Sequence, residues 1–413
     1  MDMTYLAKDC IYPSDITKTG INENEVIIGP TRCGKTKSIV EPRLLHNYNK
    51  SLVISVTKRK LYDDYAKVFV DRGFLVYDIN LNEPGKSKVG YDPFSLIKNE
   101  KDAISLAISL IGDRESQDMT GFSDPYWNQS AVSALSALII LSSLYADYMG
   151  VDMCFSVFKK IYDRALVTTS GTSTESAIDS LFDQMQEVYP NSSAYRLWKT
   201  VRGNAPKTTA CIISIMNNAV DKLMEEETTY LFLNKNKIDL SIPGKQKTVV
   251  FITSSPVDSS LQKLATILYK DLFSALYNEA QSNPQRELKW PVHFIFDDFA
   301  CGYKVPDFAK YISILCASRI SVTLLLQSES QLSTLYGNKD ATTILNNCDT
   351  YVYMGGSDHD TVKNISARLD IPPRQIYEMP LLSVIVCRRG SRSIISTRYP
   401  ILSDPEYQKL FSK

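Results

Sequence analysis

Eight consecutive residues, Gly29, Pro30, Thr31, Arg32, Cys33, Gly34, Lys35 and Thr36, fill the pattern G-x-x-x-x-G-K-[ST] completely. Glycines at both ends let the backbone curl so that its N–H groups face inward, and a helix start behind them adds its positive end. The result is a nest for phosphate oxygens. In that chemistry Lys35 reaches the β- and γ-phosphates of a nucleotide such as ATP, and the Thr36 hydroxyl binds Mg2+.

Phosphate chemistry of this kind needs an acidic residue at the end of a second strand to hold the metal, often with a carboxylate beside it to orient water. The run Val292-His-Phe-Ile-Phe296 followed by Asp297 and Asp298 supplies both. Asp297 is the expected metal-side residue and Asp298 the expected water-positioning one; paired aspartates after a strand also serve as plain turn caps. Gln327 directly follows the apolar run Ile320–Leu326, where an amide can touch a γ-phosphate or simply face solvent. Arg319, just before that run, is a candidate to act on a neighbouring copy, although arginine is common on surfaces.

Those residues need elements to carry them. Glu25–Gly29 is a short apolar β pattern leading into the loop, and Lys37–Leu45 can continue it as a helix. Ser51–Val56 and Gly73–Asp78 are further β runs separated by a helical stretch, Leu61–Asp71. Strand and helix alternating at this spacing predict a parallel α/β sheet. Lys101 to about Asn204 is instead 3.6-periodic, with a Ser/Thr/Gly loop at Thr168–Thr174, and predicts a helical insertion. Beta runs resume at Thr248–Thr253, Val292–Phe296, Ile320–Leu326, Thr350–Met354 and Ser383–Cys387. The expected organisation is therefore α/β over 1–100, all-α over 101–205 and α/β again over 206–413.

Composition narrows the function classes. Of 413 residues, 46 are Lys or Arg and 46 are Asp or Glu, which excludes a uniformly basic nucleic-acid coat protein and an acidic tail. The eight cysteines lie far apart, and the three histidines (46, 293 and 359) pair with no second ligand at metal spacing, so zinc chemistry is not expected. Residues Met1–Asp15 mix charges with isolated apolar side chains, unlike a signal peptide or an anchor. Four serines interrupt the apolar stretch Ala131–Ala146, which is short for the ~20 residues of a bilayer span. These features predict a soluble cytoplasmic protein.

Several runs together resemble a known family: Phe296-Asp-Asp-Phe-Ala300, Val305–Lys310, Ile320–Val322, Leu326–Leu332, Tyr336-Gly337, Ile344–Thr350 and Met354-Gly-Gly356, with Asp124-Pro-Tyr-Trp127 further upstream. They are similar to the type IV coupling proteins of conjugation and type IV secretion, the TraG/TraD-like members of the FtsK/HerA group of ring-forming DNA motors. The resemblance implies a RecA-like P-loop NTPase with a mainly parallel sheet interrupted by an all-α domain, which accounts for the 262 positions between Lys35 and Asp297. It implies ATP and Mg2+ as cofactors, a homo-hexamer that is monomeric when isolated, and single-stranded DNA in the ring pore. Implied partners are relaxase–DNA complexes or secreted proteins as substrates, and membrane components of the secretion system. A glutamine at the place of Gln327 belongs to the family pattern.

The chain also departs from that pattern. Asp298 stands where the family has Glu, shortening the side chain by one methylene, roughly 1.5 Å. Cys316 occupies the place of a family arginine, and Val56-Thr-Lys-Arg-Lys60 replaces Asp-Pro-Lys-Gly-Glu; Arg32 and Cys33 replace Gly-Ser. Nothing in Met1–Asp15 corresponds to the family's pair of membrane helices: either that anchor has been removed, or a partner recruits the chain to the inner face of the cell membrane. Two alternatives follow: a docking platform with little ATPase activity, or another FtsK/HerA-type motor. Candidate DNA-facing cations are Lys58, Arg59 and Lys60; Arg196, Lys199, Arg202 and Lys207; and Arg388, Arg389, Arg392 and Arg398. A solvated helix or hairpin face is the plainer explanation of each group.

Overall fold

The computed structural model describes residues 2–112, 125–166, 177–255, 259–300 and 303–411. The chain divides into two compact units, Met1–Asn82 with Asp239–Lys413, and Glu83–Ile238. The first is the α/β unit. Its strands are β1 (Met3–Ala7), β2 (Cys10–Pro13), β3 (Glu25–Ile28), β4 (Ser51–Val56), β5 (Leu75–Asn80), β6 (Thr248–Thr253), β7 (Val292–Phe296), β8 (Ile320–Leu326), β9 (Thr350–Tyr353), β10 (Ser383–Arg388) and β11 (Ile394–Thr397).

β1 and β2 form a separate antiparallel hairpin, and the other nine strands make one sheet in the order β11-β10-β9-β3-β8-β7-β4-β6-β5. The seven strands from β9 to β5 run parallel, while β10 and β11 add an antiparallel edge. β3, β4, β6, β7, β8 and β9 are buried along their whole length. Strands covered on both faces must be apolar throughout, which is why they are legible as continuous Val/Ile/Leu runs. On one face Ile39, Val40, Leu44 and Leu45 pack with Tyr65 and Phe69 of the helix Lys60–Asp71. On the other, the helix Ser259–Ser282 lays Phe273 4.4 Å from Phe294, ring centre to ring centre, within an aromatic cluster that includes Phe296, Phe299, Phe308 and Tyr336.

The second unit is helical: Glu100–Ile111, Pro125–Met149, Phe155–Leu166, Ala177–Val188, Ala194–Arg202, Pro206–Asp221 and Glu226–Leu233. It extends past the 101–205 expected from the sequence at both ends. Helix Pro206–Asp221 buries Ile212, Met216 and Val220 against the helix Pro125–Met149, so the break at Gly203-Asn-Ala-Pro206 is a turn inside the unit and not its boundary. By length and apolarity Pro125–Met149 would suffice to cross a membrane. Here Ala134, Leu135, Leu138 and Leu141 are fully buried, and the helix serves as the core of the unit. Asp124 and the loop Thr168–Thr174 lie outside the described residues.

Candidate functional site

Register places the expected chemistry on one edge of the sheet. Ile28 pairs with Leu326 on one side and Tyr353 on the other, and Phe296 pairs with Leu324 and Ser55. Gly29, Asp297 and Gln327 are the next residues along, all at the carboxyl ends of parallel strands, where open α/β sheets bind ligands. Because β8 lies between β3 and β7, Gln327 leaves the sheet between the phosphate loop and Asp297.

The loop is tightly closed. A Cβ on Gly29 would sit 2.6 Å from Cys33 Sγ and 3.0 Å from Met354 Cβ, so no side chain fits there. Arg32 (φ 63) and Gly34 (φ 83) both take left-handed backbone, which turns the chain into the following helix. Lys35 is buried, and its ammonium donates to the carbonyl oxygens of Gly29 at 2.5 Å and Pro30 at 3.1 Å. Beyond the loop, Thr36–Val40 is a wide π-helical turn before the α-helix Glu41–Leu45. Pro42 supplies the reason, since it has no N–H to donate and its ring crowds the carbonyl four residues back.

Thr36 Oγ1 donates to Asp297 Oδ2 at 3.0 Å, joining residues 261 positions apart. Burial and the adjacent Asp298 push the Asp297 carboxyl up to about 6, against the opposing pull of the Thr36 hydrogen bond and the Lys35 charge. Asp298 turns the chain away in left-handed backbone (φ 59), a conformation that aspartate tolerates. Its carboxylate takes part in no side-chain hydrogen bond among the described residues. Gln327 donates its backbone N–H to Gln331 Oε1 at 3.2 Å, and Ser328 caps the helix Glu329–Tyr336.

Behind the loop sits a buried polar network. Arg43 donates to Glu25 at 2.6 Å and to both Thr323 and His293 at 2.5 Å, while His293 Nδ1 meets Ser321 Oγ at 2.7 Å. One guanidinium thus ties the helix after the phosphate loop to β3, β7 and β8. Its members come from four elements, so no short run of sequence signals this network.

Other expected residues lie elsewhere. Arg319 precedes β8 at the opposite edge of the sheet, with its guanidinium donating to the carbonyl oxygens of Leu288 and Lys289. Cys316 lies in the turn before it. Arg59 makes a two-point ion pair with the buried Asp78, at 3.1 and 2.6 Å, and covers the Tyr62 ring. Arg202 pairs with Asp179, and Lys199 lies over Tyr195. Arg388 stacks on Tyr12 at 3.7 Å and Arg389 pairs with Asp349 at 2.9 Å. Arg398 separates from this last group and reaches the phosphate loop, its Nη1 3.4 Å from where a Cβ of Gly34 would be. The sequence held no sign of that contact.

Comparison with known proteins agrees with this geometry. A family model described as type IV secretory system conjugative DNA transfer matches residues 8–370. VirD4 proteins of Rhizobium rhizogenes and Agrobacterium fabrum are each 21% identical over 360 residues, covering 84% of this chain and 49% of the relative. The chain therefore spans about half the length of the curated relatives it matches. Among solved structures, the plasmid coupling protein TrwB in complex with the ATP analogue ADPNP superposes with a TM-score of 0.68 at 16% identity, covering 96% of this chain and 94% of that one. VirB4 of Thermoanaerobacter pseudethanolicus gives 0.57 at 13% identity, with 99% and 98% covered. At these identities the likeness establishes the fold.

Proposed function

We propose a function on one established premise: this chain belongs to the type IV secretory system conjugative DNA transfer family. It acts as a coupling ATPase that recruits relaxase–DNA complexes or protein substrates to a type IV secretion channel and drives or licenses their transfer. The observation that carries the reading is the 3.0 Å contact between Thr36 and Asp297 at the mouth of a complete phosphate loop. Two oxygen ligands so placed suit a hard cation that keeps its remaining positions for water and phosphate. Thr36 and Asp297 would hold Mg2+, which supplies charge neutralisation on the phosphates.

In this reading the backbone of Gly29–Thr36 cradles the phosphates and Lys35 moves from its carbonyl partners to phosphate oxygens. Asp298 orients the attacking water, and Gln327 senses the γ-phosphate from its place between loop and carboxylate. Copies assemble as a homo-hexamer at the inner face of the cell membrane through secretion-system components, with single-stranded DNA in the pore. TrwB has been solved with ATP and GTP analogues and with ADP and Mg2+, which supports the same ligand class here.

A second reading, a docking platform with little turnover, draws on Asp298, whose side chain is about 1.5 Å shorter than the family's glutamate. ATPase assays with and without single-stranded DNA, on the wild type, Lys35→Ala and Asp298→Glu, separate the two. The coupling ATPase requires DNA-responsive turnover in the wild type that Lys35→Ala abolishes. No turnover in any variant, under conditions where rings form, sinks it in favour of the platform.

A further inference from the structure

Arg398 follows β11 directly and ends over the phosphate loop. Its Nη1 and Cδ lie 3.4 and 3.8 Å from the position a Cβ on Gly34 would take, so the guanidinium occupies the space directly over that residue of the loop. Gly34 is the residue before Lys35, in the stretch whose N–H groups face phosphate oxygens in loops of this pattern.

The charge on this arginine is unanswered. Among the described residues no carboxylate lies within ion-pair distance of it. Nη2 donates to the Leu381 carbonyl oxygen, and Nε is buried with no hydrogen-bond partner. A guanidinium carries five N–H donors, and one of them buried without an acceptor is costly. Neighbouring cations of the same hairpin differ: Arg389 pairs with Asp349, and Arg388, whose Nε is also unbonded, rests on the Tyr12 ring.

The backbone holds Arg398 in place. Its N–H donates to the Leu382 carbonyl oxygen at 3.0 Å. The segment that follows is fastened to the helix behind the phosphate loop, through Asp404 with His46 at 2.7 Å and Tyr407 with Lys37 at 2.6 Å. A lone positive charge is thus fixed above an anion-binding loop of the same chain.

We propose that Arg398 is a nucleotide-contacting residue, its guanidinium taking a phosphate oxygen of a nucleoside di- or triphosphate bound at Gly29–Thr36. This rests on the nucleotide-binding reading above and adds to it a ligand supplied in cis from the C-terminal hairpin, a third point of phosphate contact beside the loop backbone and Lys35.

The test is calorimetric titration of the full chain with Mg2+–AMPPNP, Mg2+–ADP and adenosine, using the wild type, Lys35→Ala, Arg398→Ala, Arg398→Gln and Arg398→Lys. Removing one charge-assisted hydrogen bond to phosphate weakens AMPPNP and ADP binding about tenfold or more. Arg398→Lys recovers part of the loss, and adenosine binding does not change. Arg398→Gln keeps a donor for Leu381, so its melting point without nucleotide should match the wild type. Arg398 variants that bind AMPPNP like the wild type, while Lys35→Ala does not, overturn this proposal and leave nucleotide binding intact; a wild type that binds neither nucleotide overturns both. A readout independent of substitution is phenylglyoxal modification of wild-type Arg398 followed by mass spectrometry. AMPPNP should protect it and adenosine should not; equal modification in both counts against the contact.

Discussion

His293 gives the structure a pH dependence that can be worked out in advance. Its ring is buried in β7, with Nε2 2.5 Å from Arg43 Nη1 and 2.8 Å from Thr323 Oγ1, and Nδ1 2.7 Å from Ser321 Oγ. A guanidinium only donates, so Nε2 must accept and the ring proton sits on Nδ1. Protonating Nε2 would set a second donor and a second positive charge against Arg43. Burial, with Arg43 and Lys50 adding to it, holds the imidazole well below its ordinary 6.5. The sign follows: below about pH 6.5 the unfolded chain takes a proton that the folded one refuses, so this residue costs nothing at pH 7.5 and destabilises increasingly as pH falls. With the folded ring still neutral at pH 5, the loss amounts to about 2 kcal/mol. Asp297 works the other way, because its carboxyl is raised from 3.8 to about 6 and gains relative stability as pH falls through that value. The wild-type profile alone therefore mixes two opposing contributions, and the difference between wild type and His293→Gln separates them. Gln can accept from Arg43 and donate to the hydroxyls without titrating. Urea unfolding at pH 7.5, 6.5, 5.5 and 5.0 should show His293→Gln gaining on the wild type by about 2 kcal/mol across the range. A difference that stays constant with pH would refute the neutral, network-bound imidazole.

Arg59→Ala removes a two-point ion pair to a carboxylate, Asp78, that is 1% exposed. It should destabilise the fold by roughly 3 kcal/mol in denaturant unfolding, whereas a residue kept for DNA contact would leave stability unchanged. Asp297→Asn keeps an acceptor for Thr36 but loses the charge, so Mg2+ should no longer strengthen AMPPNP binding; an undiminished Mg2+ dependence in a titration would remove Asp297 from the metal.

What was legible in the sequence is what short-range chemistry dictates. The phosphate loop is eight adjacent residues, and β3, β4, β6, β7 and β8 are apolar runs because both faces of each are covered. Asp297 and Gln327 could be placed because a residue that follows a buried parallel strand emerges at the sheet edge. The hairpin of β1 and β2 escaped, since strands of five and four residues with partial burial carry little pattern. Arg59 sits in a run of cations in the sequence, and only the fold brings this helix-capping residue to Asp78 on β5. Arg398 read as one of four hairpin arginines, and only the fold distinguishes it, by bringing residue 398 to residue 34. Domain limits failed for a related reason: Gly203-Asn-Ala-Pro206 has the composition of a boundary, and packing of the helix after it decides otherwise.

The donors of the loop are not equivalent in what a ligand can gain from them. Lys35 already has two carbonyl partners and Thr36 already donates to Asp297. A phosphate that takes either one exchanges an existing bond for a new one, and an exchange yields far less than the bond itself. Such internal pairing holds Lys35 in reserve with its ammonium hydrogen-bonded. Arg398 breaks the pattern, because its Nε has nothing to give up. A phosphate oxygen reaching this guanidinium makes a charge-assisted bond and supplies the counter-charge that the described residues do not. On this reasoning an arginine 364 positions from the loop should contribute more to the affinity of a polyphosphate than its single contact suggests, and adenosine, lacking the anion, should not register its removal.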